Sequence, residues 1–289
     1  MHAWLSDSLR RYYPRSPAQD APSLVLDAAR GERVSFQMVC RTDDDVLSIV
    51  AKVNAPDGLE ITLRRVGYVP VAHMNTETAP EEIDGIDQLP GLVPDPLLLD
   101  TTIHAGPRET HAFWITVRVP ADLRPGAYAV SATVTASGEC SLSMTATIIV
   151  HEAILPPRRD FPVTHWFYVD TLCDWYKIQP FDETFWRLLD RYLANMAAHG
   201  QDTVYVPLFT PPLDGTRRPS QLLGVHHADG QFQFDWSLVR RWISAARAQG
   251  ISHFEWTHLF TQWGARHAIL VYEGHGEGSA WLWPPETAA

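Results

Sequence analysis

The sequence predicts a chain of two parts, all-β and then α/β: an antiparallel β-sandwich over residues 1–155 followed by a partial (β/α) barrel over residues 156–289. Three observations carry this. Short β-rich runs recur between residues 23 and 151, a proline-rich break stands at Leu155-Pro156-Pro157-Arg158-Arg159, and beyond it strand-like runs alternate with amphipathic helical ones.

In the first part, residues 23–27, 33–41, 47–54, 59–69, 111–119, 128–136 and 142–150 each read as a strand. Val34-Ser35-Phe36-Gln37-Met38-Val39 places apolar side chains at alternate positions, and Thr145-Ala146-Thr147-Ile148-Ile149-Val150 is rich in β-branched residues. Arg30-Gly31-Glu32, Pro56-Asp57-Gly58 and Arg124-Pro125-Gly126 supply turn chemistry between runs. Seven strands at this spacing predict a sandwich. Residues 75–107 are acidic and proline-rich without a period, so they are expected to cross the surface as a long loop.

After the break, residues 163–169 read as an apolar strand. Asp182 then caps a helix whose residues Phe185, Leu188, Leu189, Tyr192, Leu193 and Met196 recur at helical spacing, and Gly200 ends it. Residues 203–209 form the next strand, and residues 211–234 a long loop with a hairpin. A second helix follows, with Asp235 as its cap, Trp236, Val239, Trp242, Ile243 and Ala246 turned inward, and Gly250 just past its end. Residues 252–259 read as a third strand. Near-continuous apolar strands separated by helices call for a parallel sheet.

An eight-unit barrel of TIM type takes roughly 250 residues. Three units fit after the break and five do not, with residues 274–285 expected to be an irregular tail. Three parallel strands leave an edge unpaired, which predicts self-association through that edge or completion by another chain.

The formal net charge of -11, with basic residues no denser than pairs, argues against a nucleic-acid partner. Cys40, Cys140 and Cys173 are too few and too far apart for a disulfide framework or a cysteine zinc site. With no basic-then-apolar leader and no long apolar run, the sequence as written predicts a cytoplasmic chain without membrane attachment. Eleven tryptophans suit either a core or sugar-stacking surfaces.

Several motifs resemble a known family. His165-Trp166-Phe167-Tyr168-x-Asp170, Pro207-Leu208-Phe209-Thr210-Pro211-Pro212-Leu213-Asp214 and Phe254-Glu255-x-x-His258-Leu259-Phe260-Thr261-Gln262-Trp263-Gly264-Ala265 resemble the catalytic barrel of glycoside hydrolase family 123. Gly31-Glu32 with Phe36-Gln37, Pro94-Asp95-Pro96-Leu97 and Pro125-Gly126-x-Tyr128 look like the sandwich that precedes that barrel. The resemblance implies retaining hydrolysis of N-acetylhexosaminides, N-acetylgalactosamine above all, assisted by the substrate's own acetamido group. It also implies an Asp-Glu pair on a later strand, whose Asp orients that group while the Glu protonates the leaving oxygen. No such pair follows Gln262-Trp263-Gly264-Ala265, and Asp182-Glu183 sits at a helix start, where it caps and complements the dipole. No catalytic residue is therefore assigned, and the chain is expected to behave as a truncated, inactive fragment of such an enzyme.

Barrel sites gather at the C-terminal ends of strands, which makes Trp166, Asp170, Thr210, Glu255, His258 and Trp263 the candidate carbohydrate-binding residues. Each also has a structural explanation. Asp170 can cap a loop, Trp166 and Trp263 can fill a core, and Glu255 and His258 point to opposite faces of a regular strand. Glu255 needs a partner or a ligand if it is buried. His258 has no second ligand at metal spacing, so neither metal nor cofactor is expected. Two other functions fit the residues: a carbohydrate-binding module without catalysis, and an interaction protein whose strand edge pairs with another chain.

Overall fold

The computed structural model describes residues 1–74, 77–137, 141–156, 161–210, 220–258, 269–276 and 280–283. They divide into two compact units, Met1–Pro157 and Arg158–Ala289.

The first unit holds ten strands: β1 (His2–Asp7), β2 (Ser23–Arg30), β3 (Arg33–Arg41), β4 (Leu47–Asn54), β5 (Glu60–Val71), β6 (Gly91–Leu98), β7 (Thr102–Ala105), β8 (Thr110–Arg118), β9 (Gly126–Ala136) and β10 (Ser141–Ile154). One sheet runs β1-β3-β8-β5-β6 and the other β2-β10-β9-β4-β7. Every pairing is antiparallel except β2 with β10.

Both sheets turn side chains into one core. Phe36, Met38, Phe113 and Ile115 come from the first sheet, and Ile49, Val130, Val134 and Ile148 from the second. The alternation seen in the sequence has this cause: along β9, Val130, Ala132, Val134 and Ala136 are buried while the residues between them are not. Gly31 makes the β2–β3 turn at φ 82°, where a Cβ would lie 2.8 Å from the carbonyl oxygen of Leu155.

Of the stretch expected as a loop over 75–107, the described residues 77–107 depart from that expectation. They include β6, β7 and two single 3-10 turns at Pro80–Glu82 and Ile86–Gln88. β6 is an edge strand, the position in a sheet that tolerates Pro94 and Pro96. β1, which the sequence left unassigned, buries Trp4, Leu5 and Ser6 against β3.

The second unit contains α1 (Val169–Tyr176), α2 (Glu183–Ala198), β11 (Thr203–Val206), β12 (Gly224–Ala228), β13 (Gln231–Asp235), α3 (Ser237–Ala248), β14 (His253–Trp256), β15 (Ile269–Tyr272) and β16 (Ala280–Trp283). β11 and β14 pair in parallel, and Thr164 forms a parallel bridge to Thr203. The expected strand over 163–169 shrinks to that one bridge, because the chain enters α1 at Val169. An apolar run of this length suits a buried helix turn as well as a strand.

α2 begins where the sequence placed it, with Asp182 Oδ1 accepting from the Phe185 backbone N–H at 2.7 Å. Phe185, Trp186, Leu189 and Leu193 are its buried residues, whereas Tyr192 faces outward. For α3 the cap position is Trp236, one residue later than expected. Asp235 instead accepts from the N–H of Ser237 and from its hydroxyl, at 2.8 and 3.0 Å. Gly200 and Gly250 follow α2 and α3 with positive φ. The predicted hairpin is β12–β13, and the predicted tail over 274–285 contains β16, which pairs back on β15, a strand the sequence left unassigned. No helix among the described residues is long and apolar enough to cross a membrane.

Candidate functional site

The parallel register of β11 and β14 sets Tyr205 beside Glu255. Neighbours in a parallel pair project to the same face, so the phenol and the carboxylate leave the sheet together. Trp166, just after the Thr164 bridge, completes the row: its Nε1–H donates to Glu255 Oε2 at 2.8 Å. Its ring lies 5.4 Å from that of Tyr205 at an interplanar angle of 37°.

His258 joins the same group. β14 ends at Trp256, which releases His258 from strand alternation, and the chain brings its Nε2 to 3.8 Å from Glu255 Oε1. The imidazole also stands edge-on to Trp166, with ring centroids 5.8 Å apart. The expectation that Glu255 and His258 oppose each other holds for an unbroken strand, and the strand does not run that far.

Thr257 fixes the floor. Its hydroxyl donates to the Val206 carbonyl at 2.9 Å and accepts from the Leu208 N–H at 2.9 Å and from the Tyr205 hydroxyl at 3.2 Å. Burial pushes the Tyr205 phenol above its ordinary range. Tyr168 and Glu255 push it the same way, against the hydrogen bond to Thr257. The phenol therefore stays neutral well into alkaline solution.

Three side chains of this cluster remain open: Trp166 is 38% exposed, and the side chains of Glu255 and His258 are 27% and 49% exposed. An indole, a carboxylate that accepts and an imidazole that does either converge on one surface. Their chemistry suits a ligand with an apolar face and several hydroxyl groups.

The other expected residues stand elsewhere. Asp170 lies in the first turn of α1 and is buried. Thr210 is buried too, its Oγ1 accepting from the Ser220 N–H at 3.0 Å. Trp263 falls outside the described residues. His226 and His227 form part of β12 and are exposed, His227 stacking on Phe232 at 4.5 Å. Among the described residues, no three His, Cys, Asp or Glu side chains are placed to hold a metal. Both members of Asp182-Glu183 are engaged in structure: Asp182 caps α2, and Glu183 receives both guanidinium nitrogens of Arg241 at 2.7 and 2.9 Å.

Tyr205 and Thr257 escaped the sequence reading. Val204-Tyr205-Val206 looks like plain core, and all of β11 is indeed buried. Only the register with β14 reveals what the phenol adjoins.

Residues 166–287 match the profile described as "Glycoside hydrolase 123, catalytic domain", and residues 7–136 match "Glycoside hydrolase 123 N-terminal domain". Among solved structures, a family 123 glycoside hydrolase from Clostridium perfringens, studied for glycolipid glycan hydrolysis, superposes with a TM-score of 0.76 at 16% identity. That match covers 97% of this chain and 52% of the other, so the chain spans about half the length of that enzyme. The PapD-like domain of human CEP192 is far less similar, with a TM-score of 0.28 at 10% identity over 52% of this chain and 86% of that domain. The search of curated proteins gave no match.

Proposed function

The chain belongs to glycoside hydrolase family 123, and from that premise we propose that its second unit is the opening of a (β/α) barrel that recognises N-acetylhexosaminides, N-acetylgalactosamine foremost. In this reading the first unit is the sandwich that precedes the barrel. The parallel set Thr164–β11–β14 with α1, α2 and α3 makes up the first βα units.

The observation that carries the reading is the Trp166–Glu255 contact at the C-terminal ends of these strands, framed by Tyr205 and His258. The indole stacks on the apolar face of the pyranose, Glu255 accepts from ring hydroxyls, and His258 orients a further one.

Hydrolysis needs more than this surface. In the substrate-assisted retaining route the acetamido oxygen attacks the anomeric carbon, one carboxylate holds the acetamido group, and a second, protonated, gives its proton to the leaving oxygen. The 289 residues contain no Asp-Glu dipeptide after the linker except Asp182-Glu183, which is committed to α2 and Arg241. These residues alone therefore bind sugar without cleaving it. The test is turnover of a chromogenic N-acetyl-β-galactosaminide by the purified chain. Release above the uncatalysed rate, abolished by a substitution in this cluster, overturns the inactive reading.

A second reading has one observation in its favour. The outer edge of β14 has no strand partner among the described residues. An open edge of this kind pairs with another strand, from a second copy or another chain. Sedimentation that shows a concentration-dependent dimer supports it.

A further inference from the structure

We propose that Glu255 makes this surface selective for uncharged sugars and turns away those bearing a sulfate or carboxylate. The inference rests on the reading of the cluster as a sugar site and adds the class of sugar it accepts.

Glu255 plays two separable parts. As an acceptor, its Oε2 holds the Trp166 indole N–H at 2.8 Å and so fixes the ring against Tyr205 and His258. As an anion, it places a negative charge at the rim of that ring, with its side chain 27% exposed. Among the described residues, the one basic group paired with it is His258, at 3.8 Å, beyond hydrogen-bond reach. The phenols Tyr205 and Tyr168 bring no positive charge, and the chain as a whole carries -11. A pyranose stacked on Trp166 sets its substituents within about 5–6 Å of the carboxylate. With an effective dielectric midway between that of a protein surface and that of bulk water, a second anion at that range weakens binding by about tenfold.

Glu255→Gln separates the two parts, because the amide carbonyl still accepts from the indole while the charge is gone. The experiment titrates the 289-residue chain with methyl N-acetyl-β-galactosaminide and with its 6-O-sulfate, by ligand-observed NMR at pH 8, above the ordinary imidazole range. Wild type should bind the neutral sugar about tenfold more tightly, and E255Q should bind both within about twofold. Should E255Q fail to fold, wild type supplies a second readout. Raising the salt from about 20 to about 500 mM should narrow its preference severalfold by screening the repulsion. Equal affinity of wild type for both sugars, or an undiminished preference in E255Q, overturns the inference and leaves the sugar site standing. Binding of neither sugar overturns the sugar-site reading and this inference together.

Discussion

Gln221 and Tyr272 are paired as two strand residues would be, but one of the two strands is replaced by a side chain. The Gln221 amide nitrogen donates to the Tyr272 carbonyl at 2.8 Å, and its oxygen accepts from the Tyr272 N–H at 3.0 Å. The same nitrogen also reaches the carbonyls of Leu223 and Gly274 at 2.8 and 3.0 Å. This fully buried amide ties β15, which the sequence left unassigned, to the segment that enters β12.

Gln221→Leu keeps the volume and removes every one of these bonds. Buried backbone groups left unpaired cost about 1–3 kcal/mol each, so the second unit should lose about 2–4 kcal/mol. Urea unfolding followed by tryptophan emission reads this directly, since most tryptophans lie after residue 160. A midpoint equal to that of wild type would show that the amide holds nothing in place.

Thr257→Val tests the floor of the site. The change is nearly isosteric but deprives the Val206 carbonyl, the Leu208 N–H and the Tyr205 hydroxyl of their shared partner. A loss of about 1–3 kcal/mol is expected. Thr257→Ser, which keeps the hydroxyl, should recover most of it, and equal stability of the Val and Ser variants would contradict the assignment.

Cys40 is buried in the sandwich, and burial pushes its thiol up to about 12. The thiolate is the reactive form, so at pH 8 the native chain should alkylate at Cys40 about a thousandfold more slowly than the denatured chain. Peptide mapping after timed labelling measures the ratio, and native labelling at the denatured rate would show that the core opens.

The sandwich was legible because half-buried strands write their burial into every second residue. The expected strand at 33–41 coincides with β3, and 128–136 differs from β9 only by an earlier start at Gly126. Strands whose residues answer to other demands were missed. β6 carries two prolines, and β1 buries consecutive residues without alternating. α1 was missed because eight residues give too few turns for a helical period, and its buried Val169, Leu172 and Cys173 continue the apolar run before it.

The candidate site was half legible. Trp166, Glu255 and His258 could be named from their positions near strand ends, and the structure brings these three together. Sequence spacing could not say that β14 stops at Trp256 and frees His258 to return to Glu255, nor that register sets Tyr205 alongside. Both facts arise between strands far apart in the chain.

Sugar binding here requires the Trp166 indole to meet the ligand while Glu255 holds it. The most direct measurement is the indole N–H resonance of Trp166 in nitrogen-15-labelled chain, assigned through its loss in W166F and followed while methyl N-acetyl-β-galactosaminide is added. A saturable shift of that resonance is expected, absent with a sugar-free osmolyte of the same concentration. A resonance that stays still to saturating sugar, while other indoles move or none do, would contradict that requirement.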